Sequence, residues 1–243
     1  MVMKEHINLG RWTDEGLDIL LKEAAVITSP GERIAFLSGH FLKTEYKEST
    51  LIGDVKTPEV FVINLESVDC FTFIEYIEAM RLSNSFMEFR ESLRNVRYKS
   101  GVIAFTNRNH FFTDWREFNS GQLKDVTEMI SYANSHKVIK QLNRKGDGTF
   151  YLSGIPVVQR EIAYIHSDAV DDEVIDNMNT GDYVGMYSKE EGLDVSHTGI
   201  IIREKDRVRL RHASSLQKHR RVLDEDFRKY LKAKPGIIVL RPK

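Results

Sequence analysis

The sequence predicts an α+β fold from three observations. Apolar residues recur at helical spacing through the first part of the chain, whereas short β-branched and aromatic runs separated by polar turns fill the last part. No internal repeat and no linker rich in Pro, Gly or Ser interrupts the 243 residues, so the chain reads as a single domain, 1–243.

Taken in order, Asp14 to Ile27 places Leu17, Ile19, Leu20, Leu21, Ala24 and Ala25 at helical spacing behind Thr13 or Asp14 as cap, and Ser29-Pro30-Gly31 ends it. A second helix runs to about Leu42. Pro58 to Leu65 reads as a short strand, because Val60, Phe61, Val62 and Ile63 are β-branched or aromatic. Asp69 then caps a helix that opens D-C-F-T-F-I-E, with Cys70 in its first turn. The region from about 83 to 145 is expected to be largely helical, an insertion or second layer; Phe105 to Asp114 is rich in aromatics and Leu123 to Ala133 is amphipathic. After Phe150 the pattern changes to strands at Tyr183–Tyr187, Thr198–Arg203, Arg207–Ala213 and Gly236–Leu240.

Composition narrows the chemistry. With 35 Lys plus Arg against 36 Asp plus Glu the net charge is −1, which leaves no global footprint for nucleic acid or an anionic membrane. The segment from Arg203 onward is nevertheless basic, with 14 basic against 5 acidic residues. It is either a solvated rim or a surface that attracts an acidic ligand. A single cysteine, Cys70, precludes an internal disulfide framework. The start, M-V-M-K-E-H, has no apolar h-region and no run of about 18 apolar residues occurs, so neither a signal peptide nor a membrane span is expected in the chain.

A thiol in the first turn of a helix meets the positive end of the macrodipole and unpaired N–H groups, both of which favour thiolate. The same N–H groups can bind the oxyanion formed when a thiolate attacks a carbonyl. The bland alternative is a small buried hydrophobe among Phe71, Phe73 and Ile74. A cysteine nucleophile requires a histidine to take its proton. In D-V-S-H-T-G-I-I-I-R-E-K-D-R-V-R-L-R-H-A-S-S, two apolar runs flank R-E-K-D and can pair as an antiparallel hairpin. Folding about the Glu204–Lys205 bond sets His197 opposite His212. Period-two alternation sends Arg207, Arg209 and Arg211 to one face and Val208, Leu210 and His212 to the other. That pattern suits His197 as base with His212 orienting its ring, or two half-buried histidines satisfied by neighbours. A metal pair lacks a third ligand at motif spacing, and no H-E-x-x-H, paired C-x-x-C, G-x-S-x-G, Walker loop or G-x-G-x-x-G occurs. Phe111, Phe112 and Trp115 read as core, or as a groove wall together with Arg108 and Asp114.

With N-L-E-S-V-D-C-F-T-F-I-E around Cys70, S-H-T-G-I-I-I at His197 and R-H-A-S-S at His212, in that order, the chain resembles the NlpC-type papain-like cysteine peptidases and amidases. More narrowly it is similar to a bacterial N-acetylmuramoyl-L-alanine amidase-like branch. The segments F-L-K-T-E-Y, N-R-N-H-F-F-T-D-W and G-D-Y-V-G-M-Y extend the likeness over most of the chain. The resemblance implies a papain-like arrangement in which the Cys70 helix packs on an antiparallel sheet, with a helical insertion. It implies a single catalytic domain, hydrolysis of an amide bond in peptidoglycan or muropeptides without metal or organic cofactor, and a location in the periplasm or cell envelope. Cleavage within the stem peptide and a non-catalytic cell-wall binding module are the alternatives. Carried over position by position, Cys70 is the nucleophile, His197 the base and His212 the third polar residue. Tyr46 holds the place of a tyrosine near the reacting centre, although Glu45 stands where a proline is expected. Asp69 either caps its helix or contacts the substrate amine, and Asp194 and Ser196 are candidate substrate contacts by adjacency to His197.

Overall fold

A computed structural model describes residues 4–132, 134–205 and 207–243. In chain order the elements are β1 (Glu5–Asn8), α1 (Asp14–Ala25), α2 (Pro30–Gly39), β2 (Glu45–Tyr46), β3 (Phe61–Asn64), β4 (Ser67–Val68), α3 (Cys70–Arg81) and α4 (Phe86–Arg97). There follow α5 (Phe112–Phe118), β5 (Leu123–Asp125), α6 (Thr127–Ile130), β6 (Ser135–Leu142), β7 (Val158–His166), α7 (Asp172–Asp176) and β8 (Tyr183–Tyr187). The chain ends with β9 (Val195–Glu204), β10 (Arg207–Ser214), β11 (Arg221–Asp226), α8 (Phe227–Leu231) and β12 (Gly236–Pro242). The fold is α+β, as the pattern predicts. The elements gather into two compact units. One holds the chain up to Arg108 together with Arg211–Asp224, and the other holds Asn109–Leu210 and Glu225–Lys243.

In the first unit α1 starts where Thr13 accepts the N–H of Gly16 and α2 where Ser29 accepts that of Glu32, both side-chain N-caps. β1 pairs in parallel with β3, and β2 pairs in parallel with β4 and antiparallel with β11, itself next to β10. α3 packs against α1, α2 and α4 and is buried on every side from Thr72 to Arg81. Its polar positions therefore need internal partners. Glu75 pairs with Arg97 of α4 at 2.8 Å, Arg97 Nη1 donates to the Val62 carbonyl at 2.5 Å, and Glu78 pairs with Arg81 at 2.6 Å.

The second unit is an antiparallel sheet in the order β9-β8-β12-β7-β6, with β5 also on β12. Every residue of β8 is buried because both faces are covered. Val184 and Met186 join Val126, Ile130, Val174, Phe227 and Leu231 in one apolar layer. On the other face Trp115 meets Tyr183 edge-on at 5.2 Å, and the Phe112 ring packs so close to Gly185 that a Cβ there would lie 2.8 Å from it.

The expected helical layer over 83–145 is different in the structure. α4 belongs to the α1–α3 packing, with Phe89, Leu93 and Val96 in that core. The amphipathic stretch from Leu123 breaks into a strand and one helical turn, because Leu123 pairs with Pro242 while Val126 and Ile130 plug the apolar layer. Ser135–Leu142 is a strand paired along its length with β7. Ala133, the end of the expected amphipathic stretch, lies outside the described residues, as do Asp206 of the R-E-K-D turn and the opening Met1-Val2-Met3. Among the described residues no helix is long and apolar enough to cross a membrane.

Candidate active site

In the first unit Cys70 is the first residue of α3 and is partly exposed. Its position follows from a capping box. Asp69 Oδ1 accepts the N–H groups of Phe71 (3.0 Å) and Thr72 (2.7 Å), and Thr72 Oγ1 accepts the N–H of Asp69 at 3.0 Å. The capping reading of Asp69 thus describes what its carboxylate does, and the amides of Phe71 and Thr72 are committed to it. The helix start is anchored from behind by Phe73, Ile74 and Ile77, which have no exposed surface.

The β2–β4 pairing brings Tyr46 next to this helix start. Tyr46 is opposite Val68 in the β2–β4 pair, and the Lys47 N–H donates to the Val68 carbonyl at 3.0 Å. Cys70 follows two residues later. The Tyr46 ring is 9% exposed, and its phenol is pushed up to about 12 by burial first and then by Cys70, Asp69 and Glu48, against the pull of Arg220. It therefore stays protonated through neutral pH and is a hydrogen-bond donor. On its other side Tyr46 carries the Arg220 guanidinium over the ring, 5.1 Å from the centroid. Nothing in the sequence separates Arg220 from its basic neighbours Lys218 and Arg221; its strand pairing does.

His212 is also in the first unit and is 1% exposed, on β10. The expected arginine face holds for Arg207, which is exposed, and fails for Arg211. α2 covers that position: Arg211 Nη1 donates to the Ala35 carbonyl at 3.0 Å and to Ser38 Oγ at 3.1 Å, and its other edge forks onto Asp224 at 2.7 and 2.8 Å. Arg108, expected as a groove wall, is in the first unit too. It forks onto Glu59 at 2.7 Å through both Nε and Nη2, and Glu59 also accepts from Tyr98. It is a structural cation.

The second unit carries His197 on β9, 9% exposed, opposite Met186 of β8 and with its ring 6.1 Å from that of Tyr230. Of the residues expected around it, Ser196 is exposed, with Oγ donating to the Met186 carbonyl at 3.4 Å. Asp194 is 2% exposed and is tied inward. Its Oδ2 accepts the N–H and hydroxyl of Thr113 at 2.7 and 2.8 Å, and its Oδ1 accepts the Val195 N–H at 2.7 Å. Burial pushes the Asp194 carboxyl up against those bonds. It caps α5 from the bend that precedes β9, which corrects its expected role as a substrate contact. Trp115 has no exposed surface and is core, which corrects the groove reading. Among the described residues no group of three or more His, Cys, Asp or Glu could hold a metal ion.

Comparison with known proteins gives three findings. A family model described as AmiA-like, N-acetylmuramoyl-L-alanine amidase-like, matches residues 36–237, a span that includes Cys70, His197 and His212. Curated protein sequences give no match. Among solved structures, an N-acetylmuramoyl-L-alanine amidase from Bacteroides uniformis is similar with 26% identity over 88% of this chain and 99% of that one, at a TM-score of 0.74. A protein of Legionella pneumophila shares the fold with 23% identity over 94% of each chain and a TM-score of 0.78. A Bacteroides fragilis protein that carries a provisional xylanase name is 29% identical over 84% of this chain and 98% of that one, at a TM-score of 0.70.

Proposed function

The chain belongs to the AmiA-like, N-acetylmuramoyl-L-alanine amidase-like family, and from that premise we propose that it is a cysteine-dependent amidase of papain-like, NlpC type acting on peptidoglycan or muropeptides. The scissile bond joins the muramic acid lactyl group to L-Ala. The observation that carries this reading is Cys70 itself, a partly exposed thiol at the first position of a capped helix inside the span that matches the family.

The reaction is acyl transfer to water. His197 takes the Cys70 proton, helped by the positive end of α3, and His212 holds the His197 ring in its working tautomer. The thiolate adds to the amide carbon and the developing oxyanion lies at the N-terminus of α3. Tyr46, protonated at working pH, donates a hydrogen bond beside the reacting centre. His197 returns the proton to the departing amine, and water, deprotonated by His197, cleaves the thioester to free the lactyl carboxylate and regenerate the thiol. Ser196, exposed beside His197, is a substrate contact, and such a substrate places the protein in the periplasm or cell envelope.

Mass spectrometry of digested peptidoglycan tests this. The amidase releases intact stem peptide from sugar, and Cys70→Ala abolishes release while still folding. A shortened stem left on the sugar assigns an endopeptidase instead. Retained binding with no product from the parent protein assigns a cell-wall binding module.

A further inference from the structure

We propose that Arg220 is an anion-binding residue of the Cys70 site, selecting substrates that carry a carboxylate close to the scissile amide. The inference rests on Cys70 being the nucleophile proposed above, and it adds the charge of the substrate to that reading.

Three neighbouring segments of the first unit set the geometry. Tyr46 lies between Val68 on one side and Arg220 on the other, since the Tyr46 N–H donates to the Arg220 carbonyl at 2.9 Å and Arg221 is opposite Glu45. Adjacent strands are about 4.8 Å apart, so the backbone of Arg220 is roughly two strand spacings from Val68, two residues before Cys70. The side chain then folds back toward that neighbour. Its guanidinium stands 5.1 Å from the centroid of the Tyr46 ring, and Nη2 donates to the Tyr46 carbonyl at 3.4 Å. The backbone of Arg220 is left-handed, with φ +37°, a conformation that residues with side chains seldom adopt.

An arginine has five N–H donors in a fork shaped for a carboxylate. Among the described residues no carboxylate pairs with Arg220, and the long contact to the Tyr46 carbonyl uses one donor. Arg211 and Arg108 of the same unit both fork onto carboxylates of their own chain. Two acidic groups face the same phenol, and they oppose Arg220 unequally. Asp69 is committed to the helix cap, whereas Glu48 is exposed. An exposed guanidinium held on the face of Tyr46, the residue opposite Val68 in the pairing that leads into Cys70, offers a planar seat for a carboxylate arriving from solvent. Stem peptides carry free carboxylates within a few bonds of the amide in question.

Alkylation of Cys70 measures this charge recognition without any hydrolysis. The same thiolate displaces iodide from anionic iodoacetate and from neutral iodoacetamide, so the rate ratio of the two cancels changes in thiolate population. Arg220→Gln should lower the iodoacetate to iodoacetamide ratio about three- to tenfold, the size of a screened Coulomb attraction over several ångströms. Arg220→Lys should retain most of it, and Glu48→Gln should raise it. Salt should lower the ratio in the parent protein, which tests the idea without a substitution. A ratio that ignores salt, or that Arg220→Gln leaves unchanged, overturns the proposal. Slow alkylation by both reagents in the parent undermines Cys70 as nucleophile instead, and leaves the comparison between parent and variant intact.

Discussion

The first unit buries ionisable side chains along the helix that carries the thiol, whereas the second keeps them away from its main apolar layer, at turns, on α5 and in the edge strand β6. Glu75, Glu78 and Arg81 lie on α3 itself and are at most 7% exposed. In the second unit the layer between the sheet and α6, α7 and α8 is mainly apolar, with the Thr127 hydroxyl accepting the Val239 N–H at 2.9 Å. Of its buried carboxylates, Asp194 under α5 and Asp182 on the Asn179 N–H and Arg241 sit at turns, and Asp114 on α5 pairs with Arg160. A strand such as β9 has its register fixed by the ladder. A helix packed on all sides by apolar groups has no such register, and directional pairs such as Glu75 with Arg97 supply one. The gain is in position more than in stability: burial pushes the Glu75 carboxyl up despite the adjacent guanidinium, as expected where desolvation rivals the attraction.

The largest effect expected from that contrast is on Arg97. Arg97→Met leaves Glu75 buried without its cation and should cost about 3–5 kcal/mol in denaturant unfolding. Replacing both residues with Met should recover most of the loss, and failure to recover would show that the pair stabilises in its own right. In the second unit the corresponding weak point is steric. Gly185→Ala places a Cβ 2.5 Å from Val195 Cγ1 and 2.8 Å from the Phe112 ring, for a loss of about 1–3 kcal/mol by overpacking. Smaller is the cap: Asp69→Ala should cost about 1 kcal/mol in melting experiments. It should also slow Cys70 alkylation if the cap positions the thiol.

The smallest effect is a pH slope. Burial raises the Asp194 carboxyl, so the folded state holds that proton more tightly than the unfolded chain. Stability from this group is therefore present below the ordinary carboxylate value, near 3.9, and is lost as pH climbs through the raised one. Asp194→Asn should flatten that decline, read from denaturation midpoints across pH 4 to 7. An unchanged slope would place the titration elsewhere.

Where apolar residues recur at an element's own period between clear end signals, the sequence is readable. α1, α3 with Asp69, and β8 over Tyr183–Tyr187 lie where the pattern puts them. β6 is not, because S-H-K-V-I-K-Q-L is largely exposed along a sheet edge and has no apolar face to alternate. The charged positions of α3 and Arg211 look like solvent faces in one dimension, and only α4, the Val62 carbonyl and α2 make them interior. Within the site, the thiol at a helix start was legible from D-C-F-T. The inward turn of Asp194 and the seat of Arg220 on Tyr46 depend on partners 81 and 174 positions away, which no local pattern reports.

The central claim is that the Cys70 thiol gives its proton to His197. The direct test is the pH profile of Cys70 alkylation by iodoacetamide in the parent protein and in His197→Ala. A transferred proton predicts fast alkylation persisting well below the ordinary thiol value of about 8.5, and its loss in the variant. A profile that follows an ordinary thiol and is indifferent to His197 would contradict the mechanism.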